Sequence, residues 1–560
     1  VRRLAADLVG IDETAVFGAA PPIGGRQAPS AGFGLTSSAA SDHLWSLGEF
    51  LAMYVLYWSD ALWPATVPVW SEVNPAADLS PAAGLDEAAW TDLVDRLDTF
   101  RAGLPAVRKL LATAPSVMVA DDHEVTDDWN IDHPWAARVY ADPAGSRIVH
   151  NGVLALALCQ QWGNAPDRFA TPGSAEADVL DAVAFTGASP DTPGLRGLLG
   201  IPAAAPAAPP SVLRDPTVGV RYDVELGPAD GWPVRVIGLD ERTVREFHRV
   251  DHPAARISTA GLAAMLPGPS GGAATATIVV GPSPILGTHV IEHVLQPAVS
   301  LLPGGSLYSD FESWPAAPGS HQELLRRLVP YAPLVMLSGD VHYSGTAGLQ
   351  YTRGGVTTRG AQVVSSAGKN ADAKTMTLHL LGDVAMRLGI ERIRRFDGFT
   401  ALTDAQRAAL AAPPPAGTVL PYDELVDVLL GRAFRTAQET PVVLSDEIAT
   451  AYGLTAPDWT YEVEPVDDER LPAPGALLTD MTAAPDPWAG WDPAKSFTML
   501  RALRASDLHR IGRMFVGLPL CSLMTFSSGP LEMHADLICP VGDDPARPGR
   551  HLTQTRVVLA

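Results

Sequence analysis

Cysteine is scarce. The 560-residue chain has three, Cys159, Cys521 and Cys539, with no CxxC pair among them. That excludes a disulfide framework and a thiolate zinc cluster, and it points to a reducing compartment. Cationic side chains are also in deficit, 40 Lys and Arg against 63 Asp and Glu, for a net charge of −23. Phosphate backbones and anionic bilayers need clustered cations, so neither nucleic acid nor a membrane is expected as a partner. Long apolar runs are missing as well. FVGLPLCSLMTF, from Phe515, is among the longest and falls short of the ~20 residues that cross a bilayer. No secretory signal is visible, which leans the location toward the cytoplasm.

Several reactive signatures are missing too. GPSPI and GASPD lack the second glycine of a GxSxG elbow, so a serine hydrolase is not expected. SSAGKN lacks the loop spacing and the Ser or Thr after Lys that a phosphate-binding loop needs.

What is present is a globular chain, 47% hydrophobic, with 50 Gly and 50 Pro spread along it. The first hundred residues look helical. LWSLGEFLAMYVLYWSDALWP predicts a buried helix that ends at Pro64, and LDEAAWTDLVDRLDTFRAGLPAVRKLLAT predicts a helix pair, acidic early and basic late. The period then changes. SVMVA, PVRVIGL, TATIVV, PLVMLS and AQVV are short apolar runs of the kind that form strands buried on both faces. Amphipathic stretches such as HQELLRRLV alternate with them, so an α/β core with its sites at strand ends is expected. Pro/Ala-rich loops follow near residues 201 and 411. TYEVEPV and TQTRVVLA alternate like strands of a small β layer. The expected organisation is a helical region over 1–114, an α/β core over 115–370, a helical segment over 371–458 and a β-rich region over 459–560.

The chemistry concentrates in a few places. DDHEVTDD, from Asp121 to Asp128, crowds five carboxylates and a histidine into eight residues. Like charges this close call for a cation among them or for a solvated turn. HExxH is excluded because Asp127 stands where the second histidine belongs, and a calcium loop is excluded by the missing glycine. LSGDVHYS sets Asp340 and His342 two residues apart, on one side of an extended segment. VIGLDERTVREF offers Asp240 with Arg242 and Arg245, either as an anion clamp or as a structural ion pair. In SDFESWP, Trp314 reads as core packing and Glu312 as a cap or ion-pair partner, and GTHVIEHVL adds His289 and His293.

DDHE, LDxRTxR, DxExW and LSGDVHYS, in this order, resemble the PhoD-like alkaline phosphatase/phosphodiesterase family of the calcineurin-like metallophosphoesterases. The likeness covers roughly residues 44–370. It implies a layered β-sandwich core flanked by helices and a centre of two or more divalent or trivalent cations (Fe, Ca, Mn or Zn). At such a centre a metal-activated water attacks phosphorus in a small phosphate ester. Carried over, Asp122, Asp340 and His342 are metal ligands and Asp121 is a further ligand or its partner. His123 then faces the leaving group, and Arg242 contacts the phosphate. The family's first metal motif has no counterpart before Ser116, so the resemblance further implies that the natural protein begins upstream of Val1. A non-catalytic scaffold of the same fold is the alternative.

Overall fold

The computed structural model describes Val1, residues 4–5, 13–37, 40–74, 79–183, 190–213, 215–227, 233–250, 252–269, 276–300, 311–366, 394–412, 415, 440–466, 521–527, 531–539 and 550–559. The chain forms two compact units. One comprises Val1–Tyr222 with Asp240–Ile257, the other Asp223–Leu239 with Ser258–Ala560.

The strands, in chain order, are β1 (Ser211–Val212), β2 (Tyr222–Leu226), β3 (Val234–Gly238), β4 (Glu246–Phe247), β5 (Ala276–Val280), β6 (Leu334–Ser338), β7 (Gly345–Arg353), β8 (Val356–Val364), β9 (Arg394–Phe399), β10 (Val442–Ser445), β11 (Trp459–Pro465), β12 (Cys521–Ser527), β13 (Glu532–Cys539) and β14 (Arg550–Val558).

The first unit is mainly helical. Its helix over Leu47–Trp58 starts with a reciprocal cap, in which Ser46 accepts the Glu49 N–H and Glu49 returns to the Ser46 backbone. That helix ends at Trp58, short of Pro64, and buries one side, including Phe50, Ala52 and Leu56. The expected helix pair is one helix, Glu87–Thr113, with Pro105 inside it. Most of its surface faces solvent, where the carbonyl that a proline leaves without its N–H can turn to water. Helices over His133–Ala141 and Pro143–Leu156 supply the buried centre, with Ile148, Val149, Leu154 and Leu156 fully enclosed. Strands β1 and β4 pair antiparallel in this unit.

The second unit carries a nine-stranded mixed sheet in the order β10-β9-β11-β7-β8-β6-β5-β3-β2. Four of the five apolar runs make its parallel centre. The register runs Val236 to Ile278 to Val335 to Ala361 across β3, β5, β6 and β8. A second, three-stranded antiparallel sheet, β12-β13-β14, packs Met533, Ala535 and Leu559 against Val335, Ala361 and Val363. The amphipathic run HQELLRRLV is the end of a helix, Pro318–Leu328, that leads into β6 and buries Leu324, Leu325 and Leu328.

Three expectations are corrected. SVMVA forms no strand and pairs with no described strand. The described part of 371–458 contains β9 and β10 besides two short helices, and these enclose a small core of Phe399, Leu410, Val442, Leu444 and Ile448. TYEVEPV, in β11, lies inside the large sheet between β9 and β7 and not in the small layer, although TQTRVVLA does belong to the small layer through β14. The run RRFDGF reads poorly as a strand because Gly398 interrupts it. The glycine is required there: Trp459 is its cross-strand partner, and a Cβ would collide with the indole. Gly398→Ala is expected to lower the stability of the second unit by about 1–3 kcal/mol, read as a shifted denaturant midpoint.

Among the described residues no helix is long and apolar enough to cross a membrane. Cys159 and Cys521 are free thiols.

Candidate metal centre

Asp121–Asn130 follows the SVMVA run in two consecutive turns. With no strand beside it, the run is braced by a side chain. Asn164 accepts the Met118 N–H at 2.8 Å and donates to the Met118 carbonyl at 2.8 Å, which imitates a ladder partner. Asn164→Leu is expected to cost about 1–2 kcal/mol and to raise amide exchange at Met118.

The turn is organised around Asp122, which is 7% exposed. Its Oδ1 accepts the His123 N–H at 2.9 Å and its Oδ2 the Asp128 N–H at 2.9 Å, while its carbonyl accepts from Val125 and Thr126. Asp128 and Asn130 both adopt left-handed backbone, with φ of 62°, which Asp and Asn tolerate better than other L residues.

Asp121 faces a different neighbour. Arg242, 1% exposed, gives it two bonds, from Nε at 2.8 Å and from Nη2 at 2.6 Å, and reaches the Trp129 carbonyl at 3.3 Å. The same Nη2 lies 3.4 Å from Asp122. Arg242 is itself fixed from behind. Asp240 accepts its backbone N–H, and Asn130 donates to its carbonyl. Arg245 ties the Asn130 carbonyl to that of Glu241. Glu241 pairs with Arg256 at 2.8 Å, and burial pushes its carboxyl up to about 7 although Arg256 opposes the shift. Burial likewise raises Glu124, which accepts the Asp121 N–H.

His123 stands outside this mesh, with its side chain 71% exposed and Nε2 3.7 Å from Asp127. Partial burial lowers its pKa, but Asp122, Asp127 and Asp121 outweigh that and hold the imidazole above its usual value. Ligand atoms of Asp122, His123 and Asp127 lie within 4.8 Å of one another, close enough to share one cation. Two carboxylates and an imidazole at this separation are a donor set that fits a metal, and Mn, Fe or Zn suits it. Asp127, one of the five carboxylates of the acidic run and given no ligand role from the sequence, joins the set. The four-residue spacing from His123 was the available signal for it.

In the second unit, Asp340 and His342 do not share an extended segment. Both adopt left-handed backbone, φ 66° and 58°, in a bend after β6 whose Val341 N–H closes on the Gly339 carbonyl. Asp and His can occupy that region, so the chain reverses within three residues and the expected alternation does not apply. Ser283 donates to Asp340 at 2.9 Å, and Ser366 accepts the His342 N–H at 2.8 Å. Trp314 is buried, as its core reading requires. Asp310 lies outside the described residues.

No family model, curated protein or solved structure matches the chain. The reading of its chemistry therefore rests on its own geometry. Among the described residues, the four non-glycine residues with left-handed φ are Asp128, Asn130, Asp340 and His342. Three of them belong to the two runs singled out from the sequence for their carboxylate and imidazole content, and Asn130 lies two residues beyond the first. Strained backbone of this kind collects at ligand-holding turns, where surrounding bonds over-determine it.

Proposed function

We propose that the protein is a metal-dependent phosphoesterase with a metallophosphoesterase-like fold, acting on small phosphomonoesters or phosphodiesters. The observation that carries the reading is the Asp122, His123 and Asp127 set, three ligand side chains within 4.8 Å on a turn held by its own backbone bonds. A bound cation would activate water and steady the charge that develops on phosphorus. Asp122 and Asp127 supply the anionic donors in this reading. His123, exposed and biased toward its protonated form, either completes the ligand set or delivers a proton to the leaving oxygen. Asp340 and His342 are proposed as donors to a second cation. Arg242 positions Asp121, and it would contact a phosphate oxygen only by releasing that carboxylate.

One observation favours the scaffold alternative. The Arg242 guanidinium already balances Asp121, so part of the acidic crowding is answered without a metal. Metal analysis and p-nitrophenyl phosphate turnover of the full chain separate the two readings. Bound metal with metal-dependent turnover is expected. Bound metal without turnover of mono- or diester, or no metal after loading with Mn, Fe and Zn in turn, overturns the phosphoesterase reading and leaves the scaffold.

A further inference from the structure

A cavity of about 70 Å³ in the second unit plays no part in that reading. Tyr343 stands in its wall, together with His289, Glu292, His293, His321 and Arg394. The His289 and His293 rings stack at 4.3 Å, and the column continues through Phe396, 5.4 Å from His293, to Tyr461, 4.8 Å further. Glu292 and His293 belong to a π-helical turn, Val290–Leu295. Such turns re-aim side chains and recur at functional sites. The buried Glu292 carboxylate packs onto Gly287 so tightly that a Cβ there would collide with it. Glycine is the one residue that fits.

His321 decides the chemistry. It is 3% exposed, and its Nε2 has no hydrogen-bond partner. The ring is hydrogen-bonded to the backbone of Ile285, which must then be through Nδ1. The Ile285 N–H is already given to Gln362, so it is the Ile285 carbonyl that accepts. The proton therefore sits on Nδ1, and Nε2 presents a buried lone pair. At the same cavity Arg394 Nη2 approaches His289 Nε2 at 3.3 Å. The cavity thus offers a cationic donor, an unused acceptor and a carboxylate, against a wall of stacked rings.

We propose that this cavity binds a small organic acid bearing a hydrogen-bond donor on the neighbouring carbon, an α-amino or α-hydroxy acid. Its carboxylate meets Arg394, its donor meets His321 Nε2, and its hydrocarbon part lies against Phe396 and Tyr461. Glu292 favours an ammonium over a hydroxyl, so the amino acid is the tighter of the two. The proposal does not depend on the phosphoesterase reading, because binding is measured without turnover.

The test is calorimetric titration of the full chain with L-alanine, L-lactate and propionate, which have similar bulk but differ in the donor. Alanine or lactate is expected to bind about tenfold or more tightly than propionate, the worth of one satisfied buried acceptor. Histidine ¹⁵N spectra should show the His321 Nε2 resonance moving with the ligand. His321→Phe removes the lone pair in favour of an apolar ring of similar size, and costs the single bond to the Ile285 carbonyl. That variant should stay folded and lose the preference over propionate. Arg394→Gln should weaken all three ligands. Equal binding of alanine, lactate and propionate, no binding of any, or an unchanged preference in a folded His321→Phe variant would each overturn the proposal.

Discussion

Arg242→Met should destabilise the first unit by about 3–5 kcal/mol, the usual consequence of stripping the partner from a buried charge. The side chain is 1% exposed and holds Asp121 with two bonds and the Trp129 carbonyl with a third. The substituted thioether fills the space but leaves the carboxylate without its cation. Adding Asp121→Asn should restore part of the loss, because the two side chains act as one unit and their effects do not add. Denaturant midpoints of the two single variants and the double variant measure this coupling. The outcome also settles what Arg242 does. An arginine reserved for substrate phosphate would, when replaced, raise KM and leave the midpoint in place.

The second large effect is expected at Asp122. Asp122→Asn keeps a side-chain oxygen for one of the two backbone N–H groups and removes the charge that a cation requires. Metal affinity and phosphate-ester turnover should both fall by more than about 100-fold, beyond the cost of losing an outer-shell partner. The fold should persist, with stability, read from the denaturant midpoint, lowered by no more than about 1–3 kcal/mol, the cost of one unsatisfied N–H. Unchanged metal content in Asp122→Asn would remove this turn from the centre. Asp127→Asn is the companion test, because Asp127 enters the ligand set through geometry alone.

The sequence by itself determined the parallel centre of the second unit. PVRVIGL, TATIVV, PLVMLS and AQVV have the short apolar character of strands covered on both faces, and they lie side by side as β3, β5, β6 and β8. It also located the two turns that hold strained Asp, Asn and His residues, because acidic crowding in the first and an Asp/His pair in the second, each after an apolar run, are conspicuous in any register. Tertiary structure decided the rest. SVMVA has the composition of a strand, yet the Asn164 amide answers its backbone, a bond across 46 residues that no local pattern encodes. β9 lies in a stretch expected to be helical, and its Gly398 is required by the ring of Trp459, 61 residues further on. Asp340 and His342 seemed to share an extended segment, but the turn after β6 needs left-handed backbone, which local spacing does not reveal. The pairing of Arg242 with Asp121, 121 residues apart, was equally invisible. Residue types announce which charges must find partners. Only the folded chain decides whether the partner is an arginine, a backbone N–H or a cation.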